Sequence, residues 1–378
     1  MKITIAPNAF KECASASTAA ESIATGVMRA CPTANLTICP VADGGDGLLD
    51  VAASALDGQI KYESVTGPLG GKVDAAYALT TDGTAIIEMA LASGIALLDP
   101  ADLDPFQASS FGTGELVVAA MNAGAKRIII GLGGSATNDG GIGFAAALGY
   151  RFLAANGDVL PATPSRLAEL ETIDTSLVDP RLADMAIECA SDVTNPLCGD
   201  EGASAVFGPQ KGADAGMVQQ LDAGLERLSQ TVARDLSIAA AETPGAGAAG
   251  GLGFGVVAFA GGTVRSGIDL VIELVGLEKA LVGSDLCITG EGRIDDQTQF
   301  GKAPAGVARL AKAQGVPCIA LAGSIGSDLG ALPDEGLTAS FALADGPMTL
   351  EQSMAQTEYL LARAAEQSVR LYLASGPR

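Results

Sequence analysis

Short runs of apolar, β-branched residues recur along this chain, each ending at a glycine-rich or acidic turn and followed by a helical stripe. Lys2–Pro7 reads as a first strand, with Asn8-Ala9-Phe10-Lys11 as the loop at its end. Ser15 or Ser17 can N-cap the helix that follows, with Glu21 in its early turns and Gly26 near its end. Leu36 to Val41 is a second strand, running into ADGGDG (42–47) and an apolar helix from Leu48 to Leu56. Two strand–loop–helix units in succession predict an α/β fold with a parallel, Rossmann-like or flavodoxin-like sheet. Such sheets bind ligands at the C-terminal ends of their strands, where Lys11, Asp43 and Asp46 fall.

From Tyr62 the period shortens to β alternation, over Tyr62–Thr66, Val73–Leu79 and Thr84–Met89, and marks entry into an inserted second domain. A helix is predicted from Gly112 to Asn122, and then the run Ile128-Ile129-Ile130 as a buried strand. Gly131, Gly133 and Gly134 break that strand, and an Ala-rich helix starts near Gly140. Strand, glycine turn and helix together point backbone N–H groups at an anion; the same glycines also suit plain close packing. The turn carries Ser135, Thr137, Asn138 and Asp139, short polar groups able to hold phosphate, hydroxyl or metal. Beyond it come strands at Arg151–Leu153 and Met185–Ala190, the turn-rich SDVTNPLCG (191–199) and VFGPQKGA (206–213), and an amphipathic helix over Met217–Leu236. Pro244–Gly255 is a second glycine-rich segment, opening an apolar helical stretch. Its Gly245, Gly247 and Gly250 match GxGxxG, but no clear strand precedes them, so the dinucleotide context is missing.

Asp285–Thr289 returns to a buried strand ending in the loop GEGRIDDQTQFGKAP (290–304), with a helix over Gly306–Gln314. Strands at Pro317–Ala322 and Thr338–Leu343 follow, and a single amphipathic helix over Leu350–Leu373 closes the chain. These last units look like the first two. The first domain is therefore expected to be discontinuous, over 1–64 and 284–378, with 65–283 inserted into it.

Composition narrows the chemistry. The 378 residues carry 22 Lys plus Arg against 44 Asp plus Glu, a formal charge of −22 that disfavours nucleic acid and anionic membranes. An anionic substrate must then meet a local cationic site, and three of the nine lysines, Lys11, Lys211 and Lys302, fall in glycine- or turn-rich motifs. Histidine is absent, which excludes His-based triads and leaves Asp, Glu, Lys, Cys or Tyr for acid–base work. Seven cysteines without CxxC spacing fit free thiols in a reducing cytoplasm, and no apolar run is long enough to span a membrane.

Glycine clusters, isolated aspartates at strand ends and few cations suit phosphoryl transfer. Backbone amides cradle phosphates, carboxylates hold Mg²⁺ and a cation neutralises the transferred group. Gly301-Lys302-Ala303 lacks the spacing and hydroxyl of a P-loop. In order, the chain carries APNAFK (6–11), PVADGGDG (40–47), GPLGG (67–71), FGTGEL (111–116) and IGLGGSATNDGGIG (130–143). SDVTNPLCG, VFGPQKGA, PGAGAAGGLG (244–253) and ITGEGRIDDQTQFGKAP (288–304) complete the set. Together they closely resemble the type I glycerate kinases over almost the whole chain. The first loop departs from the family's usual APDSFKGSLSA, with Asn8 in place of Asp and Ala9 in place of Ser, while Lys11 is retained.

The resemblance implies an enzyme that phosphorylates D-glycerate with MgATP, commonly at the 2-hydroxyl, on two α/β domains, one flavodoxin-like and interrupted by the other. A 3-phosphoglycerate-forming kinase remains the alternative product. A dinucleotide-dependent hydroxyacid dehydrogenase is the alternative from another class, although Pro7–Lys11 stands where its GxGxxG would be. On this reading Asp192 is the expected base, with Asp139 the runner-up and Lys11 a further catalytic candidate. Gly133, Gly134, Ser135, Thr137 and Asn138 are expected to contact phosphate or glycerate. Lys211, Arg293 and Lys302 are the cations for the glycerate carboxylate and ATP, Arg293 being preferred for the carboxylate because a guanidinium binds it in bidentate fashion. Asp43, Asp46, Glu291 and Asp295 are the expected Mg²⁺ ligands. The inserted domain holds the 133–139 turn, so domain closure is expected to bring its ligand to the other wall. The Gly131–Gly143 loop is expected to hold phosphate or glycerate, and a homodimer is an expected assembly.

Overall fold

The computed structural model describes residues 1–45, 47–299, 301–374 and 376. Its chain forms two compact units, one of residues 1–43, 50–57 and 267–378, the other of 44–49 and 58–266.

The first unit is built on β1 (Lys2–Pro7) and β2 (Asn35–Ile38); the second on β3 (Gln59–Thr66), β4 (Lys72–Leu79), β5 (Thr84–Glu88), β6 (Arg127–Gly131), β7 (Arg151–Ala154), β8 (Leu170–Asp174), β9 (Ala186–Ala190) and β10 (Thr263–Arg265). Then β11 (Leu286–Ile294), β12 (Cys318–Ile325) and β13 (Leu337–Ala342) rejoin the first. The first unit's sheet is ordered β13-β12-β11-β1-β2, with each neighbouring pair parallel. Counted along the unit's own strands this is the flavodoxin-like order 2-1-3-4-5, whose direction reverses between β1 and β11. Ile3, Ile5 and Ile288 face the helices Ala16–Ala30 and Thr357–Ala374, while Thr4 turns the other way and bonds Ala280 O. The alternation along β1 thus buries both sheet faces, as a doubly wound fold requires.

Gly26 lies toward the end of the helix Ala16–Ala30, four residues before its last. A Cβ there would sit 1.9 Å from the Ala362 carbonyl oxygen, so the glycine serves helix–helix approach. The expected single terminal helix is two, Leu350–Ala355 and Thr357–Ala374. Thr349 and Gln352 form a reciprocal capping box on the first, and the chain leaves helical geometry at Gln356.

The second unit's main sheet runs β10-β9-β6-β5-β4-β3. Its strands β5, β6, β9 and β10 are mutually parallel, and β4 and β3 extend it antiparallel. Ile128 and Ile130 of β6 and Ile87 of β5 pack with the helix Phe111–Asn122 in one core, and Phe144 joins it from the helix Ile142–Ala147. A satellite core gathers Phe152, Phe254 and Phe259 with Leu225 and Leu228 of the helix Ala215–Asp235. No described helix is long and apolar enough to cross a membrane, and all seven cysteines are free.

Candidate active site

In the first unit the candidate residues meet where the strand order reverses, at the carboxyl ends of β1 and β11. Asn8 follows β1 directly, and its Nδ2 donates to Asp43 Oδ2 at 3.1 Å. Asp43 Oδ1 accepts from the backbone N–H of Ala303 at 2.6 Å, the first residue of the helix Ala303–Ala313. The carboxylate therefore sits at the positive end of a helix dipole, and Lys302 and Lys11 add positive charge to it. Burial nonetheless pushes the Asp43 carboxyl above its ordinary range. Glu291 is 6 % exposed and hydrogen bonds to the Thr298 hydroxyl at 3.1 Å. Burial first, and then the charge of Asp43, raise its carboxyl to about 7, against the pull of Lys302.

The loop expected from Gly290 is strand for its first third. β11 stays paired with β12 through Ile294–Ile325, so Glu291 and Arg293 stand on the sheet. Arg293 is exposed, and its Nε donates to Asp295 Oδ2 at 2.7 Å. That bond, more than any other contact, holds the Asp295 carboxyl below its usual range, and Asp295 Oδ1 also accepts from the Gln297 N–H. Asp295 thus closes a turn as well as an ion pair. Asp46 lies outside the described residues. Among the described residues no three carboxylates or thiols are gathered as a ready-made metal cage. Asp43 and Glu291 offer the hard oxygen donors that Mg²⁺ prefers, and the charge of Asp43 felt at Glu291 is what a cation would relieve.

The second unit brings together the carboxyl ends of β5, β6 and β9. Met89 N donates to Gly131 O at 3.1 Å and Leu132 N to Ala190 O at 3.2 Å, so Glu88, the glycine turn and the Asp192 loop share one sheet edge. Asp192 is exposed there. Glu88 is 9 % exposed and accepts from the Leu49 N–H at 2.8 Å. Sequence reading passed over it as part of an apolar strand; a lone carboxylate ending the run Ala85-Ile86-Ile87 was the available signal.

The glycine turn divides into an open part and a sealed part. Gly134 is exposed with φ +68°, and Gly133 is half-buried. Gly45 packs against Gly133, where a Cβ on Gly45 would lie 3.4 Å from the Gly133 Cα. Ser135 is 8 % exposed, and Thr137, Asn138 and Asp139 are fully buried. Thr137 Oγ1 donates to Ala249 O at 3.3 Å and Asn138 Nδ2 to Ser204 Oγ at 2.8 Å, while Asn138 Oδ1 has no partner among the described residues. Only the two glycines of this set present accessible backbone to a ligand.

Asp139 is a knot. Its Oδ2 accepts from Ser110 N at 2.8 Å, Ser110 Oγ at 2.7 Å and Gly143 N at 3.2 Å, and its Oδ1 from Gly141 N at 3.0 Å. Burial raises its carboxyl while those donors hold it down. Lys211 is likewise not at a surface: it is 1 % exposed, and its Nζ donates to the Thr137 carbonyl at 2.7 Å. Burial lowers its pKa to about 7, opposed by the charge of Asp139. The second glycine-rich segment locks onto the same turn. Ala249, Gly250 and Gly251 are left-handed in succession, and Gly250 O accepts from Gly140 N at 2.9 Å.

A family model described as the glycerate kinase family matches residues 3–373. The chain is 44 % identical to a glycerate 2-kinase of Escherichia coli K12, over 100 % of this chain and 99 % of that one. It is 45 % identical to a glycerate kinase of Bacillus subtilis, over 97 % and 96 % of the two chains. A crystal structure assigned as a glycerate kinase 2 of Salmonella typhimurium LT2 superposes with a TM-score of 0.91 at 44 % identity, covering 99 % of each chain.

Proposed function

The chain belongs to the glycerate kinase family, and we propose that it transfers the γ-phosphoryl group of ATP to the 2-hydroxyl of D-glycerate, giving 2-phosphoglycerate and ADP. One observation beyond membership carries this reading. An exposed carboxylate, Asp192, and an open glycine turn, Gly133-Gly134, end adjacent strands of one sheet. A base and an anion-binding backbone are the two parts that transfer to an alcohol needs.

Asp192 accepts the proton of the glycerate hydroxyl as oxygen attacks phosphorus. The N–H groups of the Gly133-Gly134 turn bind a phosphate or carboxylate oxygen. Arg293, exposed and paired with Asp295, offers a guanidinium that can bind a carboxylate or phosphate oxygen in bidentate fashion. Lys11 and Lys302 balance phosphate charge, and Mg²⁺ held by Asp43 and Glu291 would neutralise the triphosphate. Asp295 is a further oxygen donor once Arg293 turns away. The free thiols fit work in a reducing cytoplasm. Release of ADP from MgATP tests the reading. It should require D-glycerate, and folded protein that releases none with this substrate refutes it.

A further inference from the structure

The sealed half of the glycine turn is held by charge at a depth where a charge is costly. Lys211 ends the turn Pro209–Lys211, and Gly212 follows it at φ +94°. Its ammonium reaches the Thr137 carbonyl at 2.7 Å, inside a shell that leaves it 1 % exposed. Gly250 walls the same carbonyl from another side, since a Cβ on it would lie 1.9 Å from Thr137 O. Asp139, two residues on, is fully buried and ties the turn to Ser110, at the start of the helix Phe111–Asn122. Ser110 Oγ in turn accepts from Phe144 N at 2.9 Å. Between these two anchors Asn138 Oδ1 is buried, with no partner among the described residues.

A ligand cannot reach an ammonium sealed this way unless the turn opens. An apolar side chain would fill the slot without the cost of burying a polar nitrogen, so the 2.7 Å bond points to a task at the Thr137 carbonyl. We propose that Lys211 is a positioning residue for phosphoryl transfer: its Nζ, donating to the Thr137 carbonyl, fixes the Thr137 peptide and so aims the Gly133-Gly134 turn. This rests on the turn serving the proposed kinase reaction.

The test compares Lys211→Met with the wild-type chain by steady-state kinetics, thermal melting and hydrogen exchange. Misaiming a binding turn by about 1 Å costs on the order of 100-fold in rate, so kcat should fall by that much. KM for D-glycerate and ATP should move far less than kcat. Amides of 133–141 should exchange at least several-fold faster, while those of β1 and β11 keep their protection. A wild-type kcat overturns the proposal, and so does a rise in KM alone, which would mark a direct ligand. Loss of kcat with unchanged exchange in 133–141 overturns it as well. If Lys211→Met does not fold, Lys211→Ala leaves Asp139 and its four donors untouched and introduces no clash. It should fold and show the same loss of kcat; a fully active or an unfolded Lys211→Ala contradicts the positioning role. If the wild-type chain itself lacks D-glycerate-dependent ADP release, the kinase reading fails, and the exchange of 133–141 still reports on the clamp.

Discussion

Asp192 and Asp139 show how one residue type serves two ends. Asp139 spends its oxygens on four donors from Ser110, Gly141 and Gly143. A carboxylate so saturated has nothing left for a substrate proton, whereas Asp192 is exposed at the end of β9. Asp192→Asn should therefore lower kcat by about 10²–10⁴-fold, the usual worth of a general base, in steady-state assays on folded protein. Near-normal turnover in that variant removes Asp192 from the role. The difference between the two aspartates was not legible in the sequence, because both follow a strand and both sit among turn residues. What separates them is burial, and burial is set by Ser110 and Lys211, which are 29 and 72 positions away from Asp139 along the chain. Asn8 teaches the same lesson from the other side. It stands where the resemblance expects an aspartate, and its amide donates to Asp43 at 3.1 Å, where two neighbouring carboxylates would repel.

At the scale of elements, alternation and glycine punctuation located most strands. β1, β4, β5 and β6 lie within a residue or two of where the apolar runs placed them. The readings drifted where tertiary pairing overrides local pattern. β11 continues through glycine and charged residues because β12 supplies partners as far as Ile325. The segment 244–253 failed as a dinucleotide motif for lack of a preceding strand, and its glycines answer instead to the turn at 137–140. Gly250 combines φ +67° with an absent Cβ that would lie 1.9 Å from Thr137 O. Gly250→Ala should cost on the order of 3 kcal/mol of stability, from left-handed strain plus the backbone shift. Urea denaturation measures this, and a loss below about 1 kcal/mol would mean that the two loops interlock less tightly than drawn.

At the scale of the whole molecule, the flavodoxin-like order of the first unit explains why an acid pair persists in a chain already at −22. Asp43 and Glu291 stand at the point where the strand order reverses, the place such sheets reserve for ligands. Because Glu291 titrates at about 7 in the fold against 4.5 ordinarily, the folded chain keeps a proton that the unfolded chain releases. Its contribution to stability thus falls as pH rises from 4.5 to about 7, by about 1.4 kcal/mol per unit at most. Glu291→Gln should flatten the metal-free stability profile across that window, and an unchanged slope would show that the carboxyl titrates normally. The central claim is the transfer itself. ³¹P and ¹H NMR of the product formed from D-glycerate and MgATP tests it most directly: phosphate on the 2-oxygen is the predicted result, and phosphate on the 3-oxygen, or no phosphorylated glycerate from folded protein, would contradict it.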